Sequence, residues 1–267
     1  MRYKIVVSDL DGTLLNSQHR ISDYTVSTIR KLEKKGIKFV IATGRHYEDA
    51  KYFFNQIGVA KYLISGNGSF IHNENWNEIG RESIDRKLIK TLLKLEVEEG
   101  TSRSIYKGKD WYTDRIVQDY IDFHKESKYS PQISNLDKFK NVEAEKIFFI
   151  NPNRKVIEKL EKKMKNLELD KYLNIATSQP TCLEIMSKKA NKGEALKTLL
   201  KYKNIDFKEI ISFGDDLNDK EMLENSGMGI IMGNGDKRLK EILKECKVIG
   251  SSDEDAAAKF LENLFDL

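Results

Sequence analysis

Cysteine is nearly absent from this sequence: two occur in 267 residues, Cys182 and Cys246. Far apart and without the close spacing of a zinc or redox pair, they read as small apolar residues in a reducing compartment. Long apolar runs are missing as well. A bilayer span takes about twenty consecutive apolar residues, and no stretch approaches that. At the N-terminus the run Ile5 to Val7 gives way at once to Ser8 and Asp9, unlike a signal peptide. The expected location is cytoplasmic, with no membrane partner. Nor is there an excess of one charge: 46 Lys and Arg stand against 42 Asp and Glu, a formal charge of +4. The basic residues are scattered over many helix-like segments, which argues against nucleic acid and for small anions. Internal repeats, low-complexity tracts and long Pro/Ser-rich linkers are also lacking. What remains is 39% hydrophobic and 33% charged, too apolar for disorder and long enough for a core domain carrying a smaller one.

Short β-branched runs alternate with helical patterns. Lys4 to Ser8 predicts a strand buried on both faces. After it, Ser22 is placed to cap a helix in which Val26, Ile29 and Leu32 recur at helical spacing, and Gly36 can close it. Ile37 to Ile41 predicts a second strand, Tyr47 to Gln56 a helix, and Tyr62 to Ser65 a third strand running into Gly66-Asn67-Gly68. Such alternation implies right-handed crossovers and a parallel sheet. Beyond about residue 81 strands and helices mix without acidic strand exits, and from Lys192 the alternation resumes. The expected organisation is therefore an α/β parallel-sheet core formed by residues 1–81 plus 189–267, with an inserted α+β domain at 82–188.

In open parallel sheets, ligands collect beyond the carboxyl ends of strands. Each polar cluster of note falls at such an end: Asp9 to Thr13, Thr43 to Arg45, Asn67, and Gly214 to Asp219. Within DLDGTL, Asp9 and Asp11 stand two apart just past a buried strand. Both ionised and unpaired, they would destabilise the site by repulsion and desolvation, a conflict that a cation relieves. Oxygen-only ligands select a hard ion such as Mg2+, and the backbone N–H groups around Leu10 to Thr13 can hold a phosphoryl oxygen. An Asp-Gly turn capping a helix would explain the motif alone. GDDLND adds Asp215, Asp216 and Asp219; acidic helix caps account for one or two of them, not for a second acidic exit beside the first. Lys192 is the natural countercharge, by context only, and Thr43-Gly44 offers a hydroxyl and backbone donors for phosphate.

In this order, DLDGTL, ATGR, NKGEAL and GDDLND resemble the haloacid dehalogenase superfamily of phosphatases, and the long insert resembles the cap of its Cof-type subclass IIB. That resemblance implies a Rossmann-like core with a type IIB cap, and a role for each matched residue. Asp9 would be the nucleophile, forming an aspartyl-phosphate, and a Mg2+ ligand. Asp11 would protonate the leaving group, then activate water, while its backbone carbonyl ligates the metal. Asp215 would complete the protein's metal ligands, and Asp216 or, by preference, Asp219 would orient metal-bound water. Leu10, Thr43, Gly44, Lys192 and Asn218 would hold the phosphoryl oxygens, with Arg45 and Asn67 as substrate contacts.

The implied function is Mg2+-dependent hydrolysis of a small phosphorylated metabolite, sugar phosphates first, flavin mononucleotide and pyridoxal phosphate behind. Two alternatives stand beside it: a phosphosugar mutase of the same superfamily, and a non-catalytic phosphometabolite-binding protein. A dinucleotide fold is excluded because no G-x-G-x-x-G follows the first strand. Oligomeric state is not legible.

Overall fold

The computed structural model describes residues 2–267. In chain order its elements begin with β1 (Ile5–Ser8), α1 (Asp23–Lys34), β2 (Lys38–Ala42), α2 (Tyr47–Ile57), β3 (Tyr62–Ser65), β4 (Phe70–Asn73) and β5 (Glu78–Arg81). There follow α3 (Arg86–Leu93), β6 (Ser102–Lys107), β7 (Asp110–Thr113), α4 (Gln118–Asp122), β8 (Gln132–Ile133), β9 (Lys146–Ile150), α5 (Arg154–Asn166), β10 (Leu173–Gln179) and β11 (Cys182–Ser187). The last stretch holds α6 (Lys192–Lys203), β12 (Ile210–Gly214), α7 (Lys220–Asn225), β13 (Met228–Ile231), α8 (Lys237–Ile242), β14 (Lys247–Val248) and α9 (Ala256–Phe265). None of these helices is long and apolar enough to cross a membrane.

The chain divides into two compact units, one built from residues up to Arg81 and from Asn191 onward, the other from Glu82–Ala190. In the first, eight strands lie in the order β14-β13-β12-β1-β2-β3-β4-β5. From β14 to β3 all pairs are parallel, and β1 sits between β12 and β2 with Val7 opposite both Ser212 and Val40. Alternate residues of β1 feed opposite cores. Val6 packs with α1, α2 and α9 through Ile29, Phe53 and Leu261, whereas Ile5 and Val7 pack with α6 and α7 through Leu196, Leu199 and Met222. Burial on both faces is why these strands read as continuous apolar runs.

The parallel core expected from the sequence is present, and β4 and β5 extend it antiparallel beyond β3. Their turn is a tight loop in which the Asn73 side chain accepts from the N–H groups of Asn75 and Asn77, with Trp76 at φ +61. Ser22 does cap α1, accepting from Thr25 N–H at 3.0 Å.

The second unit has a six-stranded sheet in the order β10-β11-β9-β6-β7-β8, antiparallel except where β7 meets β8. One face is apolar: Ile105, Ile147, Phe149, Leu183 and Ile185 pack on α3 and α5. The other carries an aromatic cluster around Tyr106, Trp111 and Phe148, together with a buried ion pair in which Lys146 Nζ lies 2.8 Å from Glu184.

Candidate active site

The carboxyl ends of β1 and β12 bring two acidic loops together in the first unit. Past β1, Asp9 N–H still bonds the Phe213 carbonyl at 3.1 Å, so the side chain of Asp9 is set by the sheet. The chain then turns sharply: the Leu10 carbonyl accepts from Thr13, Leu14 and Leu15. Gly12 sits in that turn at φ +74, and a Cβ there would lie 2.2 Å from Asp215 Oδ2. Glycine is thus required twice, for the left-handed backbone and for the approach of the second loop. Thr13 Oγ1 donates to Asp215 Oδ1 at 3.1 Å, and Asn234 donates to the Gly12 carbonyl at 2.8 Å. On the β12 side, Asp219 Oδ2 accepts from the N–H groups of Asp215 and Asp216, while Asp216 caps Leu217 N–H.

Lys192, the first residue of α6, is fully buried between the loops, 2.8 Å from Asp9 Oδ1 and 2.7 Å from Asp219 Oδ1. Asp9 Oδ1 also accepts from Leu10 N–H at 2.7 Å. Oxygens of Asp9, Asp215 and Asp219 all lie within 4.8 Å of one another. Three carboxylates share one ammonium, and the titration of the site reflects it. Burial pushes the Asp9 carboxyl well above its usual range; Lys192 opposes this, but Asp219, Asp215 and Asp11 add to it. Burial and then Asp219 push Asp215 up to about 7, against Lys192 and Thr13. Lys192 itself is raised despite burial, because Asp219 and Asp9 face it. Such a cluster is short of positive charge. Its all-oxygen donors suit a hard divalent cation.

Asp11 does not join that cluster. Its carboxylate is taken in a fork by Arg45, Oδ1 to Nη2 at 2.6 Å and Oδ2 to Nε at 2.7 Å, with His19 Nδ1 3.8 Å away. Burial alone would raise the Asp11 carboxyl, but Arg45 and His19 outweigh it and hold the group far below the ordinary carboxylate range. Arg45, expected as a substrate contact, is instead buried and turned toward Asp11 and Asp49. Asn67 likewise accepts from Asn218 Nδ2 at 2.9 Å, so these two side chains, expected on substrate and phosphate, are joined to each other. In a crowded polar loop cluster each donor takes the nearest acceptor. Thr43 is buried, its hydroxyl accepting from Arg45 N–H at 3.1 Å, and Gly44 lies against Asn67, where a Cβ would sit 3.0 Å from Oδ1.

Sequence reasoning missed Asp49 and Asn234, and of Thr13 it named the backbone but not the hydroxyl bond to Asp215. Asn234 lies in Gly233-Asn234-Gly235, one more strand exit, and its side chain also accepts from Ser252 N–H at 2.9 Å. That exit could have been found by the same rule as the others. Asp49, four residues after Arg45 in the first turn of α2, reads as an acidic residue favoured by the helix dipole, and only the four-residue spacing of an Arg–Asp pair signals its buried bond.

Known proteins resemble this chain along nearly its whole length. The model of the haloacid dehalogenase-like hydrolases matches residues 6–261. An HMP-PP phosphatase of Yersinia enterocolitica is 31% identical over 265 residues, covering 98% of this chain and 95% of the relative. Among solved structures, a haloacid dehalogenase-like hydrolase from Bacteroides thetaiotaomicron superposes with TM-score 0.88 at 24% identity, over 98% of this chain and all of the other. A subclass IIB sugar phosphatase of the superfamily gives 0.84 at 19% identity, over 99% of this chain and all of the other.

Proposed function

The chain belongs to the haloacid dehalogenase-like hydrolase family, and from that premise we propose that it is a Mg2+-dependent phosphatase of small phosphorylated metabolites, with Asp9 as nucleophile. The observation that carries this reading is the meeting of Asp9, Asp215, Asp219 and Lys192 at the ends of β1 and β12. The unit bearing Asp9 is the catalytic core, and Glu82–Ala190 is the cap.

In the first step an Asp9 oxygen forms a bond to phosphorus as the ester P–O bond breaks, and Asp11, which takes up a proton only when it leaves the Arg45 fork that holds it ionised, gives that proton to the departing oxygen. In the second, water attacks the aspartyl-phosphate, the Asp11 carboxylate takes its proton, and Asp9 leaves as a carboxylate with inorganic phosphate released. Of the two Asp9 oxygens, Oδ1 is held by Leu10 N–H and Lys192, which aims Oδ2 as the attacking atom. Lys192 offsets charge on Asp9 and on an incoming phosphoryl group, and its buried bond to Asp219 fixes its position. Asp9, Asp215 and the Asp11 carbonyl would hold Mg2+, which when bound supplies positive charge against the phosphoryl oxygens.

Sugar phosphates remain the first substrate class, and the HMP-PP phosphatase relative adds the substrate of that enzyme as the second. Phosphate release across a metabolite panel tests the proposal. We expect turnover with Mg2+, its loss with EDTA, and a fall of at least about 1000-fold in Asp9→Asn. Turnover retained by Asp9→Asn would overturn the assignment of the nucleophile.

A further inference from the structure

Three carboxylate and guanidinium groups form a chain outside the acidic cluster. Asp11 is forked by Arg45, and Arg45 Nη1 donates to Asp49 Oδ2 at 2.9 Å. The Arg45 side chain is 4% exposed and that of Asp49 1%. The guanidinium also lies over the Phe53 ring, 5.1 Å from its centroid. Arg45, Asp49 and Phe53 recur every four residues, so one face of α2 holds the guanidinium from beneath and from the side while its fork points at Asp11. Asp11, by contrast, keeps a side chain 35% exposed at the mouth of the turn. Arg45 is the enclosed partner and Asp11 the one open to solvent.

We propose that Arg45 is a positioning residue for Asp11, that Asp49 in turn fixes Arg45, and that the fork is the resting place of the Asp11 carboxylate once its proton has gone to the leaving group. This rests on the reading of Asp11 as proton donor. Two carboxylates around one guanidinium, that of Asp49 buried and that of Asp11 part-exposed, suit the guanidinium poorly to grip a phosphate and well to receive a carboxylate. A planar, bidentate receiver defines where Asp11 sits as well as its charge, so its loss would leave the donor wandering through orientations from which the proton cannot be passed.

The dependence on the leaving group separates this role from a purely structural one. Departing p-nitrophenolate needs little proton assistance, whereas phenolate and alkoxide need progressively more. With a series of aryl phosphates and an alkyl phosphate, kcat/KM of Arg45→Ala is expected to fall about 10- to 100-fold for the alkyl ester and under about 3-fold for p-nitrophenyl phosphate. Asp49→Asn, nearly equal in volume, should show the same pattern at about 3- to 10-fold, and Arg45→Lys should recover only part of the loss because it cannot fork. In an Asp11→Asn background, Arg45→Ala should cost nothing further. Equal losses for all leaving groups, or losses that add to that of Asp11→Asn, would overturn the proposal. If Arg45→Ala does not fold, Asp49→Asn and Arg45→Lys decide by the same criterion. Failure of the underlying reading is distinct: Asp11→Asn would then itself be insensitive to the leaving group.

Discussion

At the scale of single residues, Lys192 carries the largest consequences. It is fully buried with carboxylates on two sides, so Lys192→Met would leave Asp9 and Asp219 facing each other without compensation. Losing one member of a buried charge set costs about 3–5 kcal/mol, and chemical denaturation at neutral pH should read a loss of that size. Because burial and the neighbouring carboxylates already raise the Asp9 pKa, acidification favours its neutral form, and the deficit of the variant should shrink as pH falls. A deficit unchanged with pH would mean that packing, not charge, is what Lys192 contributes. Gly12→Ala tests the turn in another way. Its Cβ would meet Asp215 Oδ2 at 2.2 Å on a backbone at φ +74, so a stability loss of about 1–3 kcal/mol is expected, together with weaker Mg2+ binding by calorimetry. Much of this site was legible because acids at buried strand exits have no cheap structural explanation in pairs. What stayed hidden was pairing: that Arg45 turns to Asp11, 34 positions away, and Asn218 to Asn67 depends on side-chain directions no spacing encodes.

Among the elements, those with two buried faces were the readable ones. β1, β2, β3 and β12 announce themselves as apolar runs, and Ser22 marks the start of α1 by its capping hydroxyl. The hairpin β4-β5 did not, since its pattern is short, half-exposed along β5 and interrupted by a loop of asparagines. Its partner, β3, is a matter of tertiary pairing, and the parallel strands gave no hint of a reversed edge. The hairpin is nevertheless anchored: Ile71 is 2% exposed and packs in the core shared with α6. Ile71→Ala should therefore cost about 2–4 kcal/mol, whereas Glu262→Ala, which removes half-exposed bonds from Lys31, Tyr24 and Thr28 between α1 and α9, should cost far less. In the second unit the pair Lys146–Glu184 joins β9 to β11 beneath aromatic rings. Glu184→Ala strands the ammonium and should cost about 3–5 kcal/mol, while the apolar double replacement Lys146→Met/Glu184→Leu should recover most of that loss. Thermal and urea unfolding of the four variants would rank them, and a Lys146→Met/Glu184→Leu double variant worse than Glu184→Ala would refute the argument.

For the molecule as a whole, the acidic cluster links stability to pH and to metal. Asp9 and Asp215 bind protons more tightly in the folded chain than in the unfolded one, because burial and neighbouring carboxylates disfavour their ionised forms. Their contribution is fully present below the unfolded carboxylate range, near pH 4, and is lost as pH rises through the folded values, about 7 for Asp215. Asp11 runs the other way, its lowered pKa giving stability that disappears only in strong acid, so between about pH 5 and pH 8 it contributes no slope. Metal-free protein should thus lose stability across that interval. A divalent cation competes with the same protons, since only ionised carboxylates coordinate it. Its apparent affinity should rise by up to about tenfold per pH unit for each proton displaced, and its stabilisation grows with the ratio of free ion to dissociation constant. Thermal melts in EDTA and in excess Mg2+ should therefore diverge from pH 5 toward pH 8, the metal-free midpoint falling while the Mg2+ midpoint holds. Asp215→Asn, which removes one of the titrating ligands, should flatten both the fall and the divergence, and a Mg2+ shift independent of pH in the unmodified chain would show that the ion binds away from these carboxylates.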